Sequence, residues 1–246
     1  MAVYSQNFLT NVIAKVDYQP ILALLREAPI DFQSEIRQRF PRFQKTVGFD
    51  VTIPPEGETQ QAPKPILWQF MDKTESQTIT LSADFILYEV KKYTHFDEFY
   101  QNLSFVYEQF CKKHQPSIIK RIGLRYINQI QMKEGNPFDW DTLIKPELTK
   151  IISAFPGSKE NIARAMSQIQ INEDDAKIIF QFGLFNSEYP AKVTKREFVL
   201  DYDCSTEDES EPDRVLGRFG SFNVIITKFF EDSILDELRD KMGEAR

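Results

Sequence analysis

Residues 95–114, HFDEFYQNLSFVYEQFCKKH, constrain the fold more than any other stretch of the chain. Phe96, Phe99, Tyr100, Leu103, Val106, Tyr107 and Phe110 recur at three- and four-residue steps, so they share one side of a helix. Asp97 and Glu98 stand at its start and Lys112 and Lys113 at its end, the arrangement that the helix dipole favours. Thr94, with Asp97 three residues on, reads as the N-cap of a variant capping box. An aromatic stripe of this length needs a broad apolar surface to lie on, and a sheet supplies one.

Alternating stretches on both sides provide that sheet. Phe8–Tyr18 places Val12, Ala14 and Val16 on one side and reads as a strand. Ile66, Trp68 and Phe70 share a face of a second. A third runs through Ile79, Leu81, Ala83, Phe85 and Leu87, with Thr78, Thr80, Ser82 and Asp84 opposite, and Thr46–Ile53 reads as another. Between Tyr18 and that strand, prolines 20, 29 and 41 punctuate two helices, ILALLREA and IDFQSEIRQRF. Residues 117–132 form a strand directly after the aromatic helix.

Gly135-Asn136-Pro137 marks a turn and divides the chain into an N-terminal half, 1–134, and a C-terminal half, 135–246, expected to form one compact unit. The second half opens with helical pieces at Trp140–Ile144 and Glu147–Ala154. Strands follow near 162–172, 177–185 and 196–204. An acidic stretch, Glu207 to Asp213, reads as a mobile loop. Beyond it Val215, Phe219, Phe222, Ile226 and Phe229 stripe a second long helix, and ILDELRDKMG forms a last one ended by Gly243. Strands followed by a long helix, twice over, predict an α+β fold: a mostly antiparallel sheet with two long helices on one face, built as two similar halves.

Several function classes are excluded or disfavoured. With 30 Lys and Arg against 37 Asp and Glu the net charge is −7, unsuited to a general nucleic-acid coat. There is no phosphate loop, no G-x-G-x-x-G, no H-E-x-x-H, no C-x-x-C and no G-x-S-x-G. The two histidines, His95 and His114, sit at opposite ends of one helix, about 28 Å apart at 1.5 Å per residue, and cannot act together. Cys111 and Cys204 lack metal-ligand spacing and read as reduced, buried thiols of a cytoplasmic protein. The N-terminus is not a secretory signal, no segment spans a bilayer, and no cofactor is implied.

The least ordinary segment is the strand Lys120–Asn128. Ile122, Leu124 and Tyr126 point one way; Arg121, Gly123 and Arg125 point the other. Two guanidiniums flanking a glycine can hold a carboxylate or phosphate in the gap. Equally, the arginines can pair with carboxylates on neighbouring strands, such as Asp84, Asp201 or Asp203, with Gly123 only admitting a bulky neighbour. Asp201 and Asp203 share a strand face with Glu197; as a pair they can hold a hard cation, or they can complement the arginines. Two basic stretches, Lys112–Arg125 and Arg37–Lys45, read as solvated surface before they read as a nucleic-acid groove.

The octapeptide R-I-G-L-R-Y-I-N, 121–128, resembles the signature of a family of prokaryotic proteins of about this size, sporadically distributed and without an assigned function. Supporting similarities are the N-terminal strand with Pro20, the W-x-F strand at Trp68 and Phe70, the aromatic helix, and F-F-E-D-S-I near the C-terminus. The resemblance implies a stand-alone cytoplasmic protein with the patchy occurrence of mobile or defence-linked genes, and it brings no reaction.

These residues lead to a non-enzymatic binding or interaction protein whose anionic ligand or protein partner meets Arg121, Gly123, Arg125, Tyr126 and Asn128, with homodimerisation expected. The alternatives are a metal-dependent enzyme using Asp201 and Asp203 on a phosphorylated small molecule or nucleic acid, and a nucleic-acid-associated defence component.

Overall fold

The computed structural model describes residues 4–47, 65–154, 156–173 and 175–243. It contains the large antiparallel sheet and the helices packed on it that the sequence predicts. Nine strands hydrogen-bond in the order β2-β3-β4-β5-β1-β6-β9-β8-β7. They are β1 (Leu9–Tyr18), β2 (Arg42–Val47), β3 (Ile66–Met71), β4 (Gln77–Leu81), β5 (Phe85–Val90), β6 (Ile119–Met132), β7 (Ala165–Glu173), β8 (Ala176–Leu184) and β9 (Arg196–Thr206). The helices are α1 (Ile30–Ile36), α2 (Phe96–His114), α3 (Pro146–Ser153), α4 (Val215–Ser233) and α5 (Asp236–Met242).

The chain forms two compact units. One comprises Ile13–Ile122 and Glu207–Arg218; the other comprises Met1–Val12, Gly123–Thr206 and Phe219–Arg246. In the first, α2 lies on the strands through its stripe. Phe110 meets Tyr18 of β1 at 4.9 Å between ring centres, and Phe99 meets Tyr88 of β5 at 5.5 Å. Such ring pairs add about 0.5–1.5 kcal/mol beyond the area they bury. The N-cap is His95 rather than Thr94. Its Nδ1 accepts the Glu98 amide at 3.2 Å, while the Thr94 hydroxyl bonds the Glu98 carboxylate.

Four sequence expectations change here. The alternating stretch at 78–87 is a hairpin, β4 and β5, not one strand. Leu81 lies opposite Ile86 and Ile79 opposite Tyr88, and opposed residues share a face. The buried set therefore shifts from odd to even numbers across the turn: Ile79 and Leu81, then Ile86, Tyr88 and Val90, with Phe85 and Leu87 half-buried. The strand expected at Thr46–Ile53 begins earlier, at Arg42, and residues 48–53 lie outside the described residues. The helix after Pro20 is a single 3-10 turn, Leu22–Leu25. The acidic stretch is pinned rather than loose: Ser210 exchanges two backbone hydrogen bonds with Ile119 at 3.0 and 3.1 Å, and the Tyr107 hydroxyl donates to the Pro212 carbonyl at 3.1 Å.

In the second unit α4 lies over β6 and β9. Tyr202 donates to the Ser233 hydroxyl at 2.8 Å, and the rings of Phe180 and Tyr202 stack at 4.5 Å with 3° between planes. Residues Trp140–Ile144 make one turn rather than a helix; its carbonyl at Trp140 accepts from Leu143 and Ile144. Gly243 ends α5 in the left-handed conformation, as expected. The start and end of the chain meet in this unit: the Gln6 amide donates to Met242 at 3.0 Å and the Ser5 amide to Gly243 at 3.2 Å.

Candidate functional site

β6 carries the sequence-nominated residues, and its pleat sorts them. Ile122, Leu124, Tyr126, Asn128 and Ile130 are buried; Arg121, Arg125, Ile127 and Gln129 are half-exposed. In the second unit Arg125 makes a paired contact with Asp201 of β9. Nε donates to Oδ1 at 2.8 Å and Nη2 to Oδ2 at 2.6 Å. The Asp201 side chain is 8% exposed and that of Arg125 40%. The hydrogen bond to Asp201 raises the Arg125 pKa further, the charges of Asp201 and Asp203 add to it, and burial opposes it.

This contact uses one edge of the guanidinium, Nε with Nη2. A guanidinium offers five N–H donors in a fork, so the end edge, Nη1 with Nη2, keeps donors for another acceptor. Asp201 thus acts as a splint that fixes the plane of Arg125 without consuming it.

The surroundings of the pair are amides and carboxylates. Gln181 lies opposite Asp201 in β8, and its Nε2 donates to Gln168 at 2.9 Å. Asp203 lies opposite Ile179. Glu197, the third acid of that strand face, is buried and braces a loop. It accepts from the Ser187 amide at 2.8 Å, the Ser187 hydroxyl at 2.9 Å and Gln131 at 3.2 Å.

Tyr126 and Asn128 belong to the opposite face. The Tyr126 hydroxyl donates to Asn223 Oδ1 of α4 at 2.8 Å, and the Asn128 amide to the Leu200 carbonyl at 3.2 Å. Gly123 is buried. The pleat thus separates Tyr126 and Asn128 from the arginines.

Arg121 falls in the first unit, where its Nη1 is 3.8 Å from Asp17 Oδ2. Lys15 Nζ holds Oδ1 of the same carboxylate at 2.5 Å. Asp84, a partner weighed from sequence, instead accepts from Ser82 in the β4–β5 turn at 3.0 Å. Asp17 was the partner that sequence reasoning missed. Its signal was the polar row Asn11, Lys15 and Asp17 on β1.

Compared with protein-family models and with curated proteins, the chain matches none.

Asp201 spends both oxygens on Arg125, so Asp201 and Asp203 do not stand open together as a cation site. Among the described residues no group of three or more His, Cys, Asp or Glu is gathered to hold a metal ion. The basic stretch at 37–45 is dispersed on its neighbours: Arg39 over the Phe105 ring at 4.0 Å, Arg42 on Glu75 at 2.6 Å, Lys45 over Trp68 at 5.0 Å. Grooves occur elsewhere among the described residues. One of about 450 Å³ runs beside Ile151, Ile162 and Arg164; another of about 320 Å³ lies beside Arg39, Asp72 and Asn102. Neither includes a β6 residue. No helix among the described residues is long and apolar enough to cross a membrane.

Proposed function

We propose that this chain is a non-enzymatic binding module that takes an acceptor group of a ligand or protein partner on the end edge of Arg125. The observation that carries this reading is the paired Arg125–Asp201 contact, which fixes a half-exposed guanidinium with one edge bound and the other unspent. Because Asp201 already neutralises the charge, a carboxylate or a backbone carbonyl of a protein partner suits the site better than a multiply charged phosphate. Free Cys111 and buried, free Cys204 accord with action in a reducing cytoplasm.

The test follows the Arg125 Nε–H resonance by NMR while acetate, inorganic phosphate and a short peptide with a free C-terminal carboxylate are titrated in turn. A saturating shift with acetate or the peptide is expected, and the backbone amide shifts of β6 and β9 that accompany it should be absent in Arg125→Lys. Lysine keeps the charge but loses the second edge. No shift with any of the three probes refutes the reading.

A further inference from the structure

We propose that β7 is the edge through which two copies of this chain join, antiparallel and centred on Ile169. β7 is the last strand of the sheet and pairs with β8. Isolated edges are normally guarded by lysine, arginine or proline. The other edge strand follows that rule, since β2 reads RFQKTV with Arg42 and Lys45. β7 reads AMSQIQINE and carries no charge before Glu173.

Its apolar row is unfinished. Ile169 lies opposite Phe180 and Ile171 opposite Ile178, so both belong to the face that holds the stacked Phe180 and Tyr202. Phe180 and Ile178 are 5% and 0% exposed, yet Ile169 is 45% exposed. The buried layer runs out to the edge and stops at a side chain in water.

A second β7, turned antiparallel about Ile169, completes it. Ile169 then meets its own copy, Ser167 meets Ile171, and Gln168 meets Gln170 on the other face, an amide pair of the kind that stabilises strand association. The ends are complementary as well. Arg164 precedes the strand and Glu173 closes it, so each end of one copy brings a guanidinium beside the carboxylate of the other. The Arg164 guanidinium sits over Phe185 and Tyr189, at 4.9 and 4.2 Å from their ring centres, and these residues are 37% and 55% exposed. They form an apolar shelf that the end of the second strand would cover. A two-fold contact of this kind is closed and yields a dimer rather than a filament.

The register supplies its own test, because residue 169 opposes itself. The full chain is examined by sedimentation equilibrium at about 100 µM, where a micromolar Kd leaves the dimer dominant. A mass twice the 28.8 kDa of the chain is expected. Ile169→Lys and Ile169→Asp should each give the chain mass alone with unchanged circular dichroism, since like charges then meet at the axis. Their equimolar mixture should regain the doubled mass. A monomeric wild type, or a dimer that survives in both variants, overturns the proposal. Should either substitution unfold the chain, Ile169→Cys decides: oxidation gives a disulfide-linked dimer that the wild type, with Cys111 and Cys204, does not give. Absence of that dimer equally refutes the pairing.

Discussion

Truncating Arg125 and truncating Asp201 should have unequal effects, although they break the same contact. Arg125→Ala leaves a carboxylate that is 8% exposed without either of its two charge-assisted hydrogen bonds. Breaking a buried ion pair from one side costs about 3–5 kcal/mol, and the Arg125 side chain, at 40% exposure, places this pair at the lower end, about 3 kcal/mol. At about 2–4 °C per kcal/mol for a chain of this size, the melting temperature should fall by about 6–12 °C. Asp201→Ala leaves a half-exposed guanidinium that can turn toward water, and about 1 kcal/mol is expected. The double substitution removes the stranded charge, so it should be more stable than Arg125→Ala alone. Urea unfolding of the four proteins gives the cycle. Equal losses from the two single variants, or a double variant less stable than Arg125→Ala, would refute the view of Asp201 as a buried splint for Arg125.

Other perturbations probe other parts of the fold. His114 is packed against Phe32 and Phe110, its Nε2 is buried without a hydrogen-bond partner, and burial lowers its pKa against a smaller opposing pull from Asp31. The unfolded chain then binds the extra proton first, so this stabilisation is complete above about pH 6.5 and is lost as the pH falls below it. Urea unfolding between pH 7.5 and 5 should show the decline, and His114→Phe should flatten it. Gly183 has φ +137°, and a Cβ there would strike the Ala165 carbonyl oxygen, so Gly183→Ala should cost about 3 kcal/mol in an unfolding titration. Burial raises the pKa of Tyr18, Tyr88, Tyr107 and Tyr202, which favours the fold below about pH 10 and ceases to do so above it. An alkaline absorbance titration should show these four ionising only as the chain unfolds. Burial pushes the Cys204 thiol up to about 12, so a thiol reagent should reach Cys204 only in denaturant, while half-buried Cys111 reacts slowly in the native protein.

What could be read from sequence was what repeats locally. The stripe of α2, the alternation of β3 and β6 and the glycine after α5 each reflect a rule acting within a few residues. The β4–β5 turn was hard to read because Ser82-Ala83-Asp84 contains no glycine or asparagine, and its local bonds, Ser82 Oγ to Asp84 and the Ser82 amide to the Phe85 carbonyl, leave its own carbonyls unmet. Its carbonyls are instead held from residues 18–21. Tyr18 Oη donates to Ser82, the Ile21 amide to Ala83 and the Tyr18 amide to Asp84, at 2.7–2.9 Å. The same limit applied to the arginines. Alternation placed Arg125 on a polar face and offered three carboxylates, and only the pairing of distant strands could choose Asp201. Tyr126 and Asn128 stood beside the arginines in the octapeptide but not in space, since neighbours on a strand look in opposite directions.

Residues 5 and 6 are clasped by the backbone of Met242 and Gly243. These bonds join residues far apart in sequence, so the clasp closes only after the elements between them have taken their places. Gln6→Pro, which deletes one of the two amide donors, should therefore speed unfolding more than it slows refolding.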